Sequence, residues 1–321
     1  MNPKVSIITP THNHQRFIYS CVESVLNQTY TNWEQIIIDD ASSDFTVKIA
    51  SQFAQRDKRI KIIKHFKKWG INRLSDTYNQ ALKKAAGKYV AILEGDDYWP
   101  YYKLEKQIKG FKDSSVVLSF GDCIMTDEVG RGIKLFTYNL KKRHLQNSPK
   151  NAILELFTNL DFCIIPATVV IRKSALDSIG GFKKNTHYPF TDIPTFLHLS
   201  LAGNFSYKKG VLGFYRKQKA SAWFDFVKDT AAMGRQEIQQ CVNEFMERNK
   251  DNPKVKRILL NKRSVNSKQK KFILKKKKLK RLSLLLNRMA FKEDRTSLLP
   301  IIFSLQYFLY KLKKTRPVFL I

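Results

Sequence analysis

Cysteine, acid and long apolar runs are all scarce in this chain, and each scarcity removes a class of protein. Four cysteines, Cys21, Cys123, Cys163 and Cys241, stand far apart in 321 residues with no C-x-x-C pair. That spacing suits neither a disulfide framework nor a cysteine-built zinc site, so a reducing compartment is expected. The opening stretch MNPKVSIITPTHN lacks the basic-then-apolar order of a secretory leader, and a cytoplasmic location is expected. No apolar run reaches the roughly 20 residues that a spanning helix needs. The nearest, LLPIIFSLQYFLY (298–310), is interrupted by Pro300, Ser304 and Gln306. It reads as a segment that lies on a membrane rather than one that crosses it. The six histidines form no H-E-x-x-H, and neither G-x-x-x-x-G-K-[ST] nor G-x-S-x-G occurs. GRGIKL (130–135) lacks the third glycine of a dinucleotide fingerprint.

Against 58 lysines and arginines the chain sets 27 acids, a formal charge of +31. Such basic chains usually meet nucleic acid, anionic membrane or phosphorylated ligands. Much of the excess lies in the tail, where Pro253–Ile321 carries 21 basic residues against Glu293 and Asp294. KKFILKKKKLKRLSLLLNRMAF (270–291) mixes lysine with leucine. It reads as a solvated helical face, a nucleic-acid arm or an interfacial segment with its lysines on anionic lipid. The apolar and aromatic residues beside the charge favour the third.

What is present is a hydrophobic fraction of 43%, enough for a real core. Residues 1–222 read as one domain and 223–321 as a basic, largely helical region. Up to about residue 120, short β-branched runs alternate with helical patterns: VSIIT (5–9), WEQIIID (33–39), IKII (60–63) and KYVAIL (88–93), with helices expected near 16–26, 45–55 and 75–86. That alternation predicts an α/β fold, a mostly parallel sheet wound with helices, whose ligands sit at the carboxyl ends of the strands. The polar clusters fall at those ends: PTHN (10–13), DDASSD (39–44) and EGDD (94–97). From Val116 to Thr137 the pattern turns strand-like, with Gly130 and Gly132 marking a turn.

Glu94, Asp96 and Asp97 end an apolar strand, where unpaired carboxylates repel one another and resist desolvation. A hard divalent ion, Mn2+ or Mg2+, is one remedy. A solvated turn with an aspartate at a helix start is the other reading. Asp39 and Asp40 repeat the arrangement on a second strand, while Asp44 is placed to cap the helix that follows. His12 and His14, beside the first loop, read as surface or packing residues.

The ordered set VSIITPTHNHQRFIYSCVESVLNQTYTNWEQIIIDDASSD (5–44), INRLSDTYNQALKKAAGKYVAILEGDDYWPYYKLEKQ (71–107) and GGFKKNTHYPFTDIPTFLHLSLAG (180–203) resembles the family 2 glycosyltransferases, nucleotide-sugar enzymes with a GT-A fold. The resemblance covers about 1–216. It implies that Pro10, Thr11 and Asn13 line a nucleotide site and that Asp40 pairs with the uracil edge of a UDP-sugar. It implies that Asp96 and Asp97 bind metal, diphosphate or sugar. The family's Asp-x-Asp-Asp appears here as Glu94-Gly95-Asp96-Asp97, so the added methylene leaves Glu94's contact with the metal open. The family's Glu-Asp appears as Thr191-Asp192, making Asp192 the implied catalytic base; by position alone it could equally cap the helix that it opens. GVLGFYRKQKASAW (210–223) implies that Arg216 reaches the diphosphate or the acceptor. The implied activity is inverting transfer of a hexosyl or N-acetylhexosaminyl group to a glycan or lipid-linked saccharide in surface polysaccharide synthesis, on the inner membrane face and without specific nucleic acid. A glycoside hydrolase, with paired carboxylates but no nucleotide, is the enzymatic alternative, and a basic-tail nucleic-acid binder the other.

Overall fold

Apolar runs that are buried on both faces form the centre of the sheet. In a computed structural model that describes residues 3–137, 164–186, 188–218 and 231–260, β1 (Val5–Thr11), β2 (Trp33–Asp39) and β4 (Tyr89–Ile92) are buried at every position. Such runs are what a parallel sheet covered by helices requires. β3 (Ile60–Lys64) exposes Lys61 and Lys64, as suits a sheet edge that must not pair with another chain. The helices are α1 (Ile18–Leu26), α2 (Thr46–Arg56), α3 (Leu74–Lys84), α4 (Lys103–Ile108), α5 (Lys173–Ser178), α6 (Asp192–Ala202) and α7 (Ala231–Arg248). α1 shows how the pattern works: Ile18, Cys21, Val22 and Val25 recur at helical spacing and are all buried. Each such aliphatic side chain contributes about 1.5–3 kcal/mol through burial.

The strands β5 (Val116–Thr126), β6 (Gly132–Phe136), β7 (Val170–Arg172) and β8 (Asn204–Arg216) complete the sheet. Its order is β3-β2-β1-β4-β7-β5-β6, with β8 also pairing with β5. β1, β2, β3 and β4 are parallel. β7 runs antiparallel to β4 and β5, β6 antiparallel to β5, and β8 parallel to β5. The mostly parallel sheet therefore holds for residues 5–92 and becomes mixed beyond them. There the strand-helix alternation that enforces parallel crossovers also stops.

The chain divides into two compact units at Asn249 and Lys250, so α7, which starts beyond residue 222, belongs with the sheet. It packs on α6, with Phe245 edge-on to His198 at 4.9 Å between ring centres. No helix among the described residues is long and apolar enough to cross a membrane. The segments 270–291 and 298–310 lie outside the described residues.

At the amino ends of the strands, buried Glu34 accepts hydrogen bonds from Ser6 Oγ (2.8 Å), Ala86 N (2.7 Å) and Lys61 Nζ (2.8 Å). Burial alone would raise its pKa, but these three donors outweigh it and hold the carboxyl below its ordinary value. A depressed carboxyl stabilises the fold above its unfolded pKa, and that contribution is lost as pH falls through the folded one. Glu34→Ala is expected to cost about 1–3 kcal/mol at pH 7 by urea denaturation, since the buried Ser6 hydroxyl and the Ala86 amide lose their acceptor. The deficit should shrink below about pH 4; a deficit that does not change with pH would refute the ionic part.

Candidate active site

Register brings three strand ends together. Thr11 lies opposite Asp39, and Ile8 opposite Ile92. Beyond the last pairs, Asp40 N donates to the Thr11 carbonyl (2.9 Å) and Gly95 N to the Pro10 carbonyl (3.0 Å). Pro10-Thr11, Asp39-Asp40 and Glu94–Asp97 thus share one rim, as in other wound sheets.

The β1 and β2 loops are stitched to each other. Asn13 has a left-handed backbone (φ 54°), which asparagine tolerates. Its amide donates to Ser42 Oγ (2.9 Å), and its Oδ1 accepts from Ser43 N (2.9 Å). Asp44 accepts from Gln15 N (3.0 Å) and from Thr46 N (2.9 Å) at the start of α2, the structural task expected of it.

The two aspartates that end β2 diverge. Asp39 is buried and closes its own turn by accepting from Ser42 N (2.9 Å). Asp40 reaches outward: Trp69 N, Gly70 N and His65 Nδ1 all lie 2.8 Å from its carboxylate. His65 stacks on Trp69 with ring centres 3.8 Å apart, and its Nε2 is 2.7 Å from Gln80 Oε1. Burial works to raise the Asp40 pKa, but the bonds to His65, Trp69 and Gly70 prevail and lower it, so this carboxylate is charged at neutral pH.

The acid loop does not cap a helix. α4 starts only at Lys103, and its N-cap, Tyr102, makes no side-chain capping bond. Asp97 is fully buried; its Oδ1 accepts from Arg216 N (2.8 Å), and its Oδ2 has no hydrogen-bond partner among the described residues. Burial, then the charges of Asp96 and Glu94, push its pKa well up. The Asp96 side chain is 14% exposed; its Oδ2 accepts from Gln218 Nε2 (2.5 Å). Glu94 accepts from the Tyr78 hydroxyl (3.2 Å). Burial first, then the charges of Asp96 and Asp192, push Glu94 up to about 8.

Arg216 braces this loop. Its guanidinium lies 4.8 Å from the Phe17 ring centre and 4.9 Å from that of Tyr98, and Nη1 donates to the Asp96 carbonyl. Tyr98 in turn exchanges backbone hydrogen bonds with Phe214 of β8. The buried head of Arg216 is thus engaged by the acid loop itself, where the resemblance implies a diphosphate or acceptor contact.

Asp192 is the first residue of α6, and the N-cap before it, Thr191, makes no side-chain capping bond. Thr191 instead donates to the Lys183 carbonyl (2.9 Å). Asp192 Oδ1 is buried without a hydrogen-bond partner among the described residues. Burial raises its pKa to about 6, against the opposing pull of the Ile193 amide and the Tyr188 hydroxyl. The Gly180-Gly181 turn leading to this segment has φ of 76° and 82°. A Cβ on Gly181 would sit 2.3 Å from Asn79 Oδ1. Asn79 clamps Phe182 through both backbone groups, donating to its carbonyl (2.9 Å) and accepting from its amide (2.8 Å). Next to it on α3, Tyr78 holds Glu94. Neighbouring residues of one helix therefore tie the acid loop to the segment that presents Asp192, a link that sequence reading missed.

The family described as Glycosyl transferase family 2 matches residues 6–180, more than half of the chain. The chain belongs to that family. It is 35% identical over 189 residues to UDP-Glc:alpha-D-GlcNAc-diphosphoundecaprenol beta-1,3-glucosyltransferase WfaP of Escherichia coli, an overlap of 59% of this chain and 65% of WfaP. The chain spans about six tenths of the length of the curated relatives that it matches first. Among solved structures it is similar to residues 1–349 of S. aureus TarS in complex with UDP-GlcNAc, with a TM-score of 0.55 at 19% identity over 78% of this chain and 73% of that one. It is also similar to the mannosyltransferase PcManGT of Pyrobaculum calidifontis in complex with GDP-Man and Mn2+, with a TM-score of 0.52 at 16% identity over 82% and 80%. The sheet with its flanking helices is the GT-A fold of these neighbours.

For a metal the acid loop offers oxygen ligands. No group of three metal-type side chains converges among the described residues. The partly exposed Asp96 carboxylate and the Asp97 oxygen left without a partner by the described residues nevertheless suit Mg2+ or Mn2+, which commonly take one or two carboxylates and complete their shell with water and substrate phosphate.

Proposed function

We propose that this family 2 transferase moves a hexosyl or N-acetylhexosaminyl group from a UDP-sugar to a glycan or lipid-linked saccharide, with inversion, in surface polysaccharide synthesis. The observation that carries the reading is the buried Asp192 oxygen that has no hydrogen-bond partner among the described residues, on a segment linked through α3 to the acid loop. Raised to about 6, the carboxyl is ionised at pH 7 and still basic enough to take a proton. Asp192 withdraws the acceptor hydroxyl's proton as that oxygen attacks the anomeric carbon. Attack on the side opposite the leaving diphosphate inverts the centre.

Asp40, held charged, accepts from the uracil imide, with Pro10, Thr11 and Asn13 flanking the nucleotide. Asp96 and Asp97 would hold the divalent ion, while Glu94 is engaged by the Tyr78 hydroxyl. When bound, Mn2+ or Mg2+ stabilises the charge that develops on the departing diphosphate. The UDP donor is supported by the name of one relative, a glucosyltransferase for UDP-Glc, while PcManGT, solved with GDP-Man, makes the base the point to test. The tail segments 270–291 and 298–310 would seat the enzyme on the anionic inner face of the membrane.

A thermal-shift screen of nucleotide-sugars, with and without Mn2+, tests the donor reading. A ligand at a hundredfold excess over its Kd stabilises the fold by about 2.7 kcal/mol. UDP-glucose or UDP-GlcNAc should raise Tm in the presence of metal, and CDP- or GDP-sugars should do so less. Equal shifts for all nucleotides would remove the uracil contact assigned to Asp40.

A further inference from the structure

His14 lies one residue beyond the nucleotide loop and belongs to none of the motifs. Its Nδ1 is 3.1 Å from Thr11 Oγ1, and its Nε2 is 4.0 Å from Asp96 Oδ2. The imidazole is 21% exposed and the Asp96 carboxylate 14%. Gln218 Nε2 also donates to that oxygen, at 2.5 Å. If Nδ1 keeps the proton and donates it to the Thr11 hydroxyl, Nε2 turns a lone pair toward a carboxylate. Two acceptors facing each other need a cation or a hydrogen-bond donor between them, and the neighbouring carboxylate favours the cation. A divalent ion midway would be about 2 Å from each, an ordinary bond length to imidazole nitrogen or carboxylate oxygen. An oxygen partner on the far imidazole nitrogen is also what metal-bound histidines generally have, because it fixes the tautomer.

Gly95 gives this pair its room. A Cβ there would lie 2.5 Å from Thr11 Oγ1 and 2.8 Å from His14 Nδ1, so a glycine in the acid loop lets the Thr11-His14 unit close against it. We propose that His14 is a protein ligand of the divalent ion beside Asp96, with donor diphosphate and water in the remaining positions; this rests on the nucleotide-sugar reading above. A nitrogen ligand makes the site favour Mn2+ over Mg2+, since imidazole suits transition ions and all-oxygen shells suit Mg2+.

Mn2+ is the probe, added to the full chain alone and with UDP, and read by titration and by pulsed electron paramagnetic resonance. Bound Mn2+ should show coupling to an imidazole nitrogen that disappears in His14→Ala and His14→Gln. Its affinity should fall about tenfold or more in His14→Ala, and the preference over Mg2+ should narrow. Mn2+ that binds the wild-type chain without nitrogen coupling, or equally well in both variants, would overturn the assignment and leave an ordinary His14-Asp96 ion pair. Failure of the wild type to bind Mn2+ in either condition would overturn this proposal and the metal part of the nucleotide-sugar reading together. The wild-type spectrum decides the matter even if a variant fails to fold.

Discussion

Asp192→Asn is expected to slow sugar transfer by about 10²- to 10⁴-fold, to leave UDP affinity within a few-fold of wild type, and to make the chain more stable at neutral pH. The rate loss is the usual worth of a positioned general base. The gain in stability follows from burial. Asp192 titrates at about 6 in the fold against an ordinary 3.8, so its native charge is disfavoured. The sign is the reverse of the Glu34 case: below about pH 4 both states are protonated and nothing is lost, while the penalty grows between about pH 4 and 6 and is complete above 6. At pH 8 the removable cost is at most about 3 kcal/mol. Urea denaturation should therefore show the asparagine variant ahead at pH 8 and level with wild type near pH 4. In the same account wild-type kcat/KM declines below about pH 6. Near-normal transfer by the variant would remove Asp192 from the chemistry, and an unchanged stability would show that its carboxyl is not desolvated.

Gly95→Ala should be the other large effect, although it adds one methyl group and changes no charge. The new Cβ would meet Thr11 Oγ1 at 2.5 Å and Thr11 Cβ and His14 Nδ1 at 2.8 Å. Thr11 is buried at the end of β1 and has little room to yield, and Gly95 N is itself bonded to the Pro10 carbonyl. Overpacking of this kind costs about 1–3 kcal/mol. Because the loop that moves carries Asp96 and Asp97, a displacement near 1 Å should also cost about 10²-fold in transfer rate. Urea denaturation and UDP titration measure the two parts separately. Wild-type stability together with wild-type UDP affinity would mean that the β1 and acid loops do not need to close on each other.

The strand ends could be read from sequence because two signals coincide there: unbroken β-branched runs that only buried strands use, and paired acids directly after them. That sufficed to gather Pro10, Thr11, Asp40 and Asp96 on one rim, which the register of β1, β2 and β4 then brought together. Asp192 was legible only through the resemblance, since an aspartate opening a helix has the same local pattern whether it caps or reacts. What sequence did not reveal depends on distant contacts. Gln218 meets Asp96 from 122 positions away, and the role of Arg216 depends on β8 returning beside β5. Tyr78 and Asn79 look like ordinary helix residues until α3 is seen to touch both the acid loop and Phe182. His14 reads from sequence as a surface or packing residue because a histidine in a polar loop carries no pattern of its own; the 4.0 Å approach to Asp96 comes from the fold.

The most direct measurement follows UDP release and product together. The full chain is incubated with UDP-glucose or UDP-GlcNAc, Mn2+ and a saccharide linked to a lipid diphosphate, and the new glycosidic bond is assigned by nuclear magnetic resonance. The expected result is acceptor-dependent UDP release with a β-linked product from the α-configured donor, lost in Asp192→Asn. An α-linked product, or free sugar released without an acceptor at the same rate, would contradict inverting transfer with Asp192 as its base.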